Sequence, residues 1–239
     1  KELPSIECQL IDWWSGDNEI KLDSEEATSK SDLNYLIKAY GVTETGYSIC
    51  INIHDFTPHF YINIPMNWTT SKAQMLVNKL YDNYREKYSW KYNISDKIVF
   101  NKDWDIVFRK KFWGFTNNKE HKFVRLLFKN YSMFKHFEKL FNDSKFKESL
   151  KFIDKWWNSK DCIYESNIPP FLRYIHVNKL NPSGWIKINT KMYTLSYSKQ
   201  CNTQLEINVH WKKINMIEKM EMAPFIIASF DIEADSSHG

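Results

Sequence analysis

Hydrophobic and polar residues alternate with the period of a β-strand near the start of the chain. Ile49, Ile51 and Ile53 are separated by smaller or more polar side chains, which is the pattern of a half-buried strand. A β-rich run at 33–42 precedes them across a short turn that contains glycine. Two such runs around a glycine turn predict a β-hairpin, and residues 5–14 predict an earlier strand.

The middle of the chain, residues 59–167, changes between the strand and helix periods. Thr70 or Ser71 is the predicted N-cap of a helix that runs to about Tyr88, and Ser132 is the predicted N-cap of a second helix. The predicted strands cover 59–65, 97–115, 122–130 and 161–167, with an extra helical piece at 146–158. The order β, α, β, β, α, β is the ferredoxin-like pattern of RNA-recognition domains.

The strand pattern returns after the Pro169–Pro170 pair. Strands are predicted over 172–180 and 185–188, on either side of a turn that contains Asn, Pro and Gly. Two more strands are predicted over 192–198 and 204–211. Because strands from both ends of the chain enclose the middle segment, we expect them to form one small barrel or sheet of the oligonucleotide-binding (OB) type.

The predicted fold class is therefore α+β, an OB-like barrel or sheet with an inserted ferredoxin-like subdomain. Residues 1–57 and 168–222 are assigned to the OB-like domain and residues 58–167 to the insert. In the remaining segment, 223–239, the run 225–230 is apolar on both faces. Such a run predicts the central strand of a sheet that helices cover.

Composition adds limited information about function. The 239 residues include 33 basic and 29 acidic side chains, so the net charge of +4 is a weak argument for nucleic-acid binding. No apolar stretch has the pattern of a signal peptide or a membrane span, which predicts a soluble intracellular protein. The four cysteines are scattered without a CxxC pair, so their spacing predicts free thiols in a reducing compartment rather than a zinc site.

One stretch, residues 108–131, mixes basic and aromatic side chains. Single-stranded nucleic acids are bound by cationic grooves with aromatic stacking platforms, and this stretch lies in the central hairpin of the predicted insert. The alternative is that the aromatic residues are core and the cations solvate the outer face. The candidate nucleic-acid-binding residues are Arg109, Lys110, Lys111, Trp113, Phe115, Lys122 and Arg125.

Two acids, Asp231 and Glu233, follow the apolar run near the end of the sequence. If the strand continues through them, both carboxylates point to the same face and could hold a divalent cation. The tripeptide alone is common, and solvated acids at a strand end are the ordinary alternative.

The sequence PFIIASFDIEADSSHG resembles the first exonuclease motif of the family B DNA polymerases. YESNIPPFLRYIHVNKLNPSGWIKI (164–188) resembles the delta-type segment just upstream of that motif, and 38–65 and 111–130 resemble earlier blocks of the same family. The resemblance implies that Asp231 and Glu233 are catalytic residues that bind Mg²⁺. It also implies that 223–239 is the first strand of an RNase H-like 3′–5′ exonuclease domain.

The resemblance further implies the N-terminal part of a DNA-directed DNA polymerase, similar to delta-like enzymes of large DNA viruses. The expected partners are primer–template DNA, the remaining exonuclease and polymerase domains of the same chain, and a sliding clamp or other processivity factor. The expected location is the host cytoplasm or nucleus for a viral enzyme, and the nucleus for a cellular one. The fragment alone is expected to be inactive. Two other functions remain open, a non-catalytic module that binds single-stranded nucleic acid and a scaffold domain.

Overall fold

The structure, a computed structural model, describes residues 3–18, 33–88, 104–112, 114–155, 157 and 162–232. The strands are Ile6–Asn18 (β1), Asn34–Thr43 (β2), Ser48–His54 (β3), His59–Ile64 (β4), Trp104–Lys110 (β5), Glu120–Leu127 (β6), Ile163–Tyr164 (β7), Trp185–Ile188 (β8), Tyr193–Leu195 (β9), Leu205–His210 (β10) and Ile214–Ile217 (β11). The helices are Thr70–Tyr88 (α1), Tyr131–Leu140 (α2), Ser144–Leu150 (α3) and Pro170–Val177 (α4).

Strands from both ends of the chain form one seven-stranded sheet with the order β11-β8-β1-β2-β3-β10-β9. Most neighbours are antiparallel, whereas β10 lies parallel to β3, with Ile207 opposite Ile51. One face of this sheet is buried by aliphatic side chains, including Ile37 and Ile51, and by Tyr174 from α4. The alternation seen in the sequence therefore placed the isoleucines of β3 correctly in a core.

The prediction of a strand over 172–180 is wrong, because the structure has helix α4 at this place. Pro170 stands in the first turn of that helix, where a fixed φ is favourable and no backbone N–H is needed. Arg173 and Tyr174 are buried on its inner side, and Tyr174 is packed in the core of the seven-stranded sheet. Tertiary packing thus overrides the strand preference of the β-branched and aromatic residues.

The second sheet has four strands in the order β5-β6-β4-β7, and every neighbouring pair is antiparallel. Side chains of α1, α2 and α3 pack on one of its faces. The core between them is rich in aromatic rings, such as Phe60, Phe128 and Phe137. The part of the predicted strand at 97–103 lies outside the described residues, and β5 begins at Trp104.

The predicted helix caps are shifted by one or two residues. The hydroxyl of Thr69 accepts from Lys72 N (3.3 Å), so the capping residue of α1 is one position before the predicted Thr70. Asn130 caps α2 by accepting from Met133 N (2.9 Å). The prediction of Ser132 as that cap is wrong, because its hydroxyl donates to Asp17.

Hydrogen bonds join the two sheets where β6 leads into α2. Tyr35 N donates to Lys129 O (3.0 Å), and Asn130 Nδ2 donates to Leu33 O (3.1 Å). The ring of Tyr131 packs against the cores of both sheets. Within the described residues, no helix is long and apolar enough to cross a membrane. The four cysteines are free, as predicted, with Cys201 only half-buried.

Candidate functional site

The segment that carries Asp231 has no regular secondary structure and is largely exposed. Residues 223–232 form no strand, so the prediction of a central strand over 225–230 is wrong for this structure. An apolar run needs a hydrogen-bonding neighbour to become a strand, and no described strand pairs with it. Its large side chains, Ile226 and Phe230 among them, are exposed to solvent.

The chain is held in place up to the start of this segment. Trp185 Nε1 donates to Glu221 O (2.8 Å), and Ala223 N donates to Gln9 Oε1 (2.8 Å). Farther along the segment, Asp231 makes a hydrogen bond only to its neighbour among the described residues, with Oδ1 accepting from Ile232 N (2.9 Å). Glu233 lies outside the described residues. The geometry of the Asp231 and Glu233 pair therefore stays a prediction.

Three of the predicted basic residues lie together at the end of β5. Arg109 and Lys110 are exposed, and the ammonium of Lys111 donates to Asn63 Oδ1 (2.9 Å) while lying 5.1 Å from the ring centroid of Tyr164. Phe115 is exposed in the turn that follows. Trp113 lies outside the described residues. Cations beside exposed rings are the kind of surface that contacts phosphates and bases.

The other two basic residues are engaged within the protein. The ammonium of Lys122 donates to Trp68 O (2.5 Å). The guanidinium of Arg125 makes two hydrogen bonds to Asp105, at 2.8 and 2.5 Å. This bidentate pair raises the pKa of Arg125. Both side chains are therefore poor candidates for direct contact with nucleic acid.

A cleft of about 510 Å³ opens on the face of the four-stranded sheet that the helices leave uncovered. It brings Arg109, Lys110 and Lys111 together with aromatic residues that the sequence analysis did not single out. These additional lining residues are Tyr61, Phe112, Phe123 and Tyr164. Phe123 contacts Tyr61 and Tyr164 with ring centroids 6.3 and 5.3 Å apart, so three strands contribute to one aromatic row.

Positive charge also borders this row from the side of α4. The guanidinium of Arg173 lies 5.7 Å from the ring centroid of Tyr61 and is ion-paired with Glu165. Burial, together with the charges of Arg173 and Arg125, lowers the pKa of His59 to about 4. His59 therefore stays neutral at physiological pH and leaves the arginines as the cations of this region.

The alternation of β4 was the available signal for Tyr61. Phe60 and Ile62 face the helical core, so the residue between them must face the other side of the sheet. An aromatic side chain at that position on a central strand is how RNA-recognition folds present a stacking platform. Across the described residues, the one cluster of at least three potential metal ligands is Cys50, Cys201 and Glu206, which lies in the seven-stranded sheet and not at this cleft.

Comparison with known proteins relates the sequence to one family. Residues 162–239 match the family model described as DNA polymerase family B, exonuclease domain. Over 216 residues the chain is 31% identical to a DNA polymerase of Phaeocystis pouchetii virus, covering 88% of this chain and 20% of the relative. Over 239 residues it is 32% identical to a DNA polymerase of Pyramimonas orientalis virus, covering 97% of this chain and 17% of the relative.

A cellular relative and a solved structure agree with this result. The chain is 27% identical over 218 residues to a DNA polymerase delta catalytic subunit of Plasmodium falciparum, covering 84% of this chain and 18% of the relative. The family B DNA polymerase of Pyrobaculum calidifontis shares its fold with a TM-score of 0.51 at 12% identity, covering 89% of this chain and 21% of that chain. The chain spans about one fifth of the length of these relatives. The chain is therefore similar to a part of these proteins, with the family B exonuclease model matching 162–239 and viral DNA polymerases among its relatives.

Proposed function

We propose that this chain is part of an enzyme that performs template-dependent DNA synthesis and 3′–5′ proofreading. The observation that carries the proposal is the match of 162–239 to the family B exonuclease domain, together with similarity along 88–97% of this chain to proteins named DNA polymerase. The chain itself would shape the path of the DNA and contribute the first acids of the exonuclease site. Alone it would neither extend a primer nor degrade a 3′ end.

Asp231 and Glu233 are proposed as Mg²⁺ ligands of that exonuclease site. The carboxylate of Asp231 is exposed and keeps oxygen lone pairs available beyond its one local hydrogen bond, which suits a hard cation. When bound, divalent cations would activate a water molecule and stabilise the leaving oxygen of a phosphodiester. The part of Asp231 would be to fix the position of such a cation against the 3′ end.

The test uses a full-length protein that carries this sequence and measures extension and excision separately. Asp231→Ala and Glu233→Ala are each expected to lower excision of a mispaired 3′ end by at least a hundredfold and to leave primer extension within a few-fold. Glu148→Ala, an exposed acid on α3, serves as the matched control and should change neither rate. Loss of extension together with excision in Asp231→Ala would contradict a role confined to proofreading.

The domain plan is proposed with the same function. The order β5-β6-β4-β7 with antiparallel neighbours supports a ferredoxin-like insert over 58–167. The single sheet built from both chain ends supports an OB-like domain over 1–57 and 168–222, and residues 223–239 would begin an RNase H-like exonuclease domain. The proposed partners are primer–template DNA and the remaining domains of the polymerase. A processivity factor and a location in the host cytoplasm or nucleus rest on the resemblance alone.

A second function is proposed for the cleft on the four-stranded sheet, the binding of a single DNA strand. The supporting observation is the row of Tyr61, Phe123 and Tyr164 beside three cations of β5 and its following turn. Because Phe123 is buried, Tyr61, Tyr164 and the exposed Phe112 would do the stacking. The cations would contact the phosphates.

Fluorescence anisotropy with a labelled single-stranded oligonucleotide at two salt concentrations tests this second function. Replacing Arg109, Lys110 and Lys111 by Ala should weaken binding and reduce the slope of log K against log salt by about 2. Phe112→Ala should cost about 1–3 kcal/mol of binding free energy. The control replaces Lys145 and Lys147 of α3 by Ala and should bind normally. Equal binding by all variants, or none by the native chain, would favour a scaffold role.

A further inference from the structure

One face of the seven-stranded sheet carries a buried polar cluster that neither the proposed polymerase activity nor the cleft uses. Ile49, Ile51 and Ile53 of β3 face the core, so Cys50 and Asn52 between them face the other side. The neighbouring strands place more polar groups there. Cys50 lies between Tyr40 of β2 and Glu206 of β10. Asn52 lies opposite Lys38 of β2.

The connection between β9 and β10, residues 196–204, covers this face and delivers a second thiol. The Sγ atoms of Cys50 and Cys201 and a carboxylate oxygen of Glu206 all lie within 4.8 Å of one another. Cys201 Sγ is 3.1 Å from Glu206 Oε2, and Cys50 Sγ is 3.8 Å from Asn52 Oδ1. In a tetrahedral zinc site, with Zn–S near about 2.3 Å and Zn–O near about 2.1 Å, neighbouring ligand atoms are separated by roughly 3.4–3.8 Å. The Cys50–Asn52 separation lies at the upper end of that range and the Cys201–Glu206 separation is a few tenths of an ångström shorter, so small side-chain shifts would complete the geometry.

The charges of the cluster also suit a divalent cation. Cys50 is fully buried, and Glu206 and Lys38 are exposed by only 2% and 7%. Two thiolates and one carboxylate carry three negative charges, which one divalent cation and the ammonium of Lys38 would neutralise. Lys38 is fixed at the rim of the cluster, because its Nζ donates to Gln200 Oε1 (2.9 Å). A buried set of charges that sums to zero avoids most of the cost of an unpaired charge.

We propose that Cys50, Cys201 and Glu206 form a structural site for a thiophilic divalent cation, for which Zn²⁺ is the natural occupant, with Asn52 Oδ1 as the fourth ligand. Binding forms two metal–sulfur bonds and two metal–oxygen bonds, and the two thiol protons leave to solvent. Because Cys201 is half-buried, the cation can enter from the side of the covering connection. The bound cation ties residues 196–204 to β3 and β10.

The four ligands come from two distant parts of the sequence, which is why cysteine spacing did not predict them. Cys50 and Asn52 precede the inserted middle segment, and Cys201 and Glu206 follow it. A cation at this place would therefore join the two ends of the chain across the parallel pair of β3 and β10. Because the site closes a long loop, its occupation is expected to raise the stability of this sheet.

The test uses the native chain with reduced thiols, freed of metal by a chelator and then titrated with Co²⁺. The expected result is one Co²⁺ per chain with a sulfur-to-cobalt charge-transfer absorbance, and a melting temperature that rises with Zn²⁺ and falls again with chelator. Cys201→Ser should lower the charge-transfer absorbance per bound Co²⁺ by about half, because Cys50 is then the one thiolate ligand left, and should weaken binding at least tenfold. Cys162→Ser, which removes a thiol from the other core, is the matched control and should bind like the native chain.

Two outcomes would overturn the proposal. The first is a reduced native chain that binds neither cation and melts at the same temperature with and without Zn²⁺, a readout that needs no variant to fold. The second is a disulfide between Cys50 and Cys201 in protein purified without reductant, detected by thiol titration, together with metal analysis showing that no metal ion is released when this disulfide forms. Neither result would bear on the proposed polymerase and exonuclease activities, which are measured on DNA.

Discussion

The two sheets of this chain bury their cores in different ways. The four-stranded sheet and its helices use residues that are close in sequence, and aromatic rings fill the core. The seven-stranded sheet joins strands from residue 6 to residue 217, and isoleucines dominate its core. One unit can therefore form from local contacts, whereas the other requires the two ends of the chain to meet.

The two sheets also differ in the faces that point away from these cores. The four-stranded sheet leaves a face with exposed cations and aromatic side chains, where a ligand can reach it. The corresponding face of the seven-stranded sheet holds a closed polar cluster around Glu206 under residues 196–204. The insert therefore leaves one face of its sheet accessible to a ligand, whereas the seven-stranded sheet uses its second face for internal polar contacts.

The largest expected effect tests whether the two cores are independent. Phe137 is fully buried in the aromatic core, where its ring meets Phe128, Tyr81 and Tyr84. Phe137→Ala should lower the free energy of unfolding by about 3–5 kcal/mol, because it leaves a large cavity. Hydrogen exchange should then show amides of β4 and β6 opening before those of β3 and β10.

The matched variant is Ile51→Ala in the core of the seven-stranded sheet, with an expected loss of about 2–5 kcal/mol. Here β3 and β10 should lose protection while β4 and β6 retain it. If either variant opens both sheets together in hydrogen exchange, the chain unfolds as one cooperative unit and the comparison fails.

The next effect concerns pH and the core of the insert. Burial, with a smaller effect from Lys87 and Lys139, lowers the pKa of His136 from about 6.5 to about 4. Between pH 6.5 and pH 4, the unfolded chain therefore binds a proton at His136 that the folded chain does not bind. The free energy of unfolding should fall as pH drops from 6.5 to 4, by up to about 3 kcal/mol for this histidine. Urea denaturation at several pH values measures it.

His59 shifts in the same direction, so it contributes a second, similar loss over the same pH range. His136→Gln should remove the part of the pH-dependent loss in unfolding free energy that comes from His136 and leave the part that comes from His59. If the free energy of unfolding of this variant depends on pH as it does in the native chain, His136 is protonated in the folded state over this range, and burial does not lower its pKa as stated.

Much of the fold was predictable because strand periodicity is a local signal. The alternation in β3 and the turn before it gave the hairpin, and strands were correctly expected on both sides of the insert. Helix α4 was missed because residues such as Ile175 and Tyr174 favour strands in isolation. The run at 225–230 was predicted to be a strand from its apolar character, but a strand also depends on a neighbour, which local sequence does not reveal.

The candidate site was predictable only in part for a related reason. The basic and aromatic stretch pointed to Arg109, Lys110 and Lys111, which line one cleft, while their binding of nucleic acid stays a prediction. It could not separate them from Arg125, whose guanidinium is occupied because the register of β5 and β6 places Asp105 opposite. Tyr61 looked like any aromatic residue of a strand until the sheet showed which face the helices cover.

A smaller effect is expected where the two sheets meet. The carboxylate of Asp17 in β1 accepts from Tyr131 N (2.5 Å) and from Ser132 N (2.8 Å), so the seven-stranded sheet caps a helix of the insert. Asp17→Ala should lower the free energy of unfolding by about 1–2 kcal/mol, since it leaves two helix N–H groups without an anionic acceptor. Chemical denaturation measures the loss.

Asn130→Ala is the control for this joint, because it removes a cap from the same helix end within the insert itself. Both variants should weaken α2, but Asp17→Ala alone should separate the unfolding transitions of the two sheets. Identical transitions in the two variants would mean that Asp17 acts as an ordinary cap and does not couple the units.

The smallest effect lies at the far edge of the seven-stranded sheet. The ammonium of Lys219 donates to Glu44 Oε1 (2.5 Å), approaches Glu7 Oε2 (3.5 Å) and lies 4.4 Å from the ring centroid of Trp185. It joins the segment after β11 to β1 and to the turn between β2 and β3. Because the ion pairs lie at the surface and keep 20–60% of their side-chain area open to solvent, Lys219→Met should lower the melting temperature less than Asp17→Ala does, and high salt should abolish most of the difference. A difference that persists in high salt would assign the contribution of Lys219 to packing on Trp185, and the edge of this sheet would then depend on burial in the same way as its core.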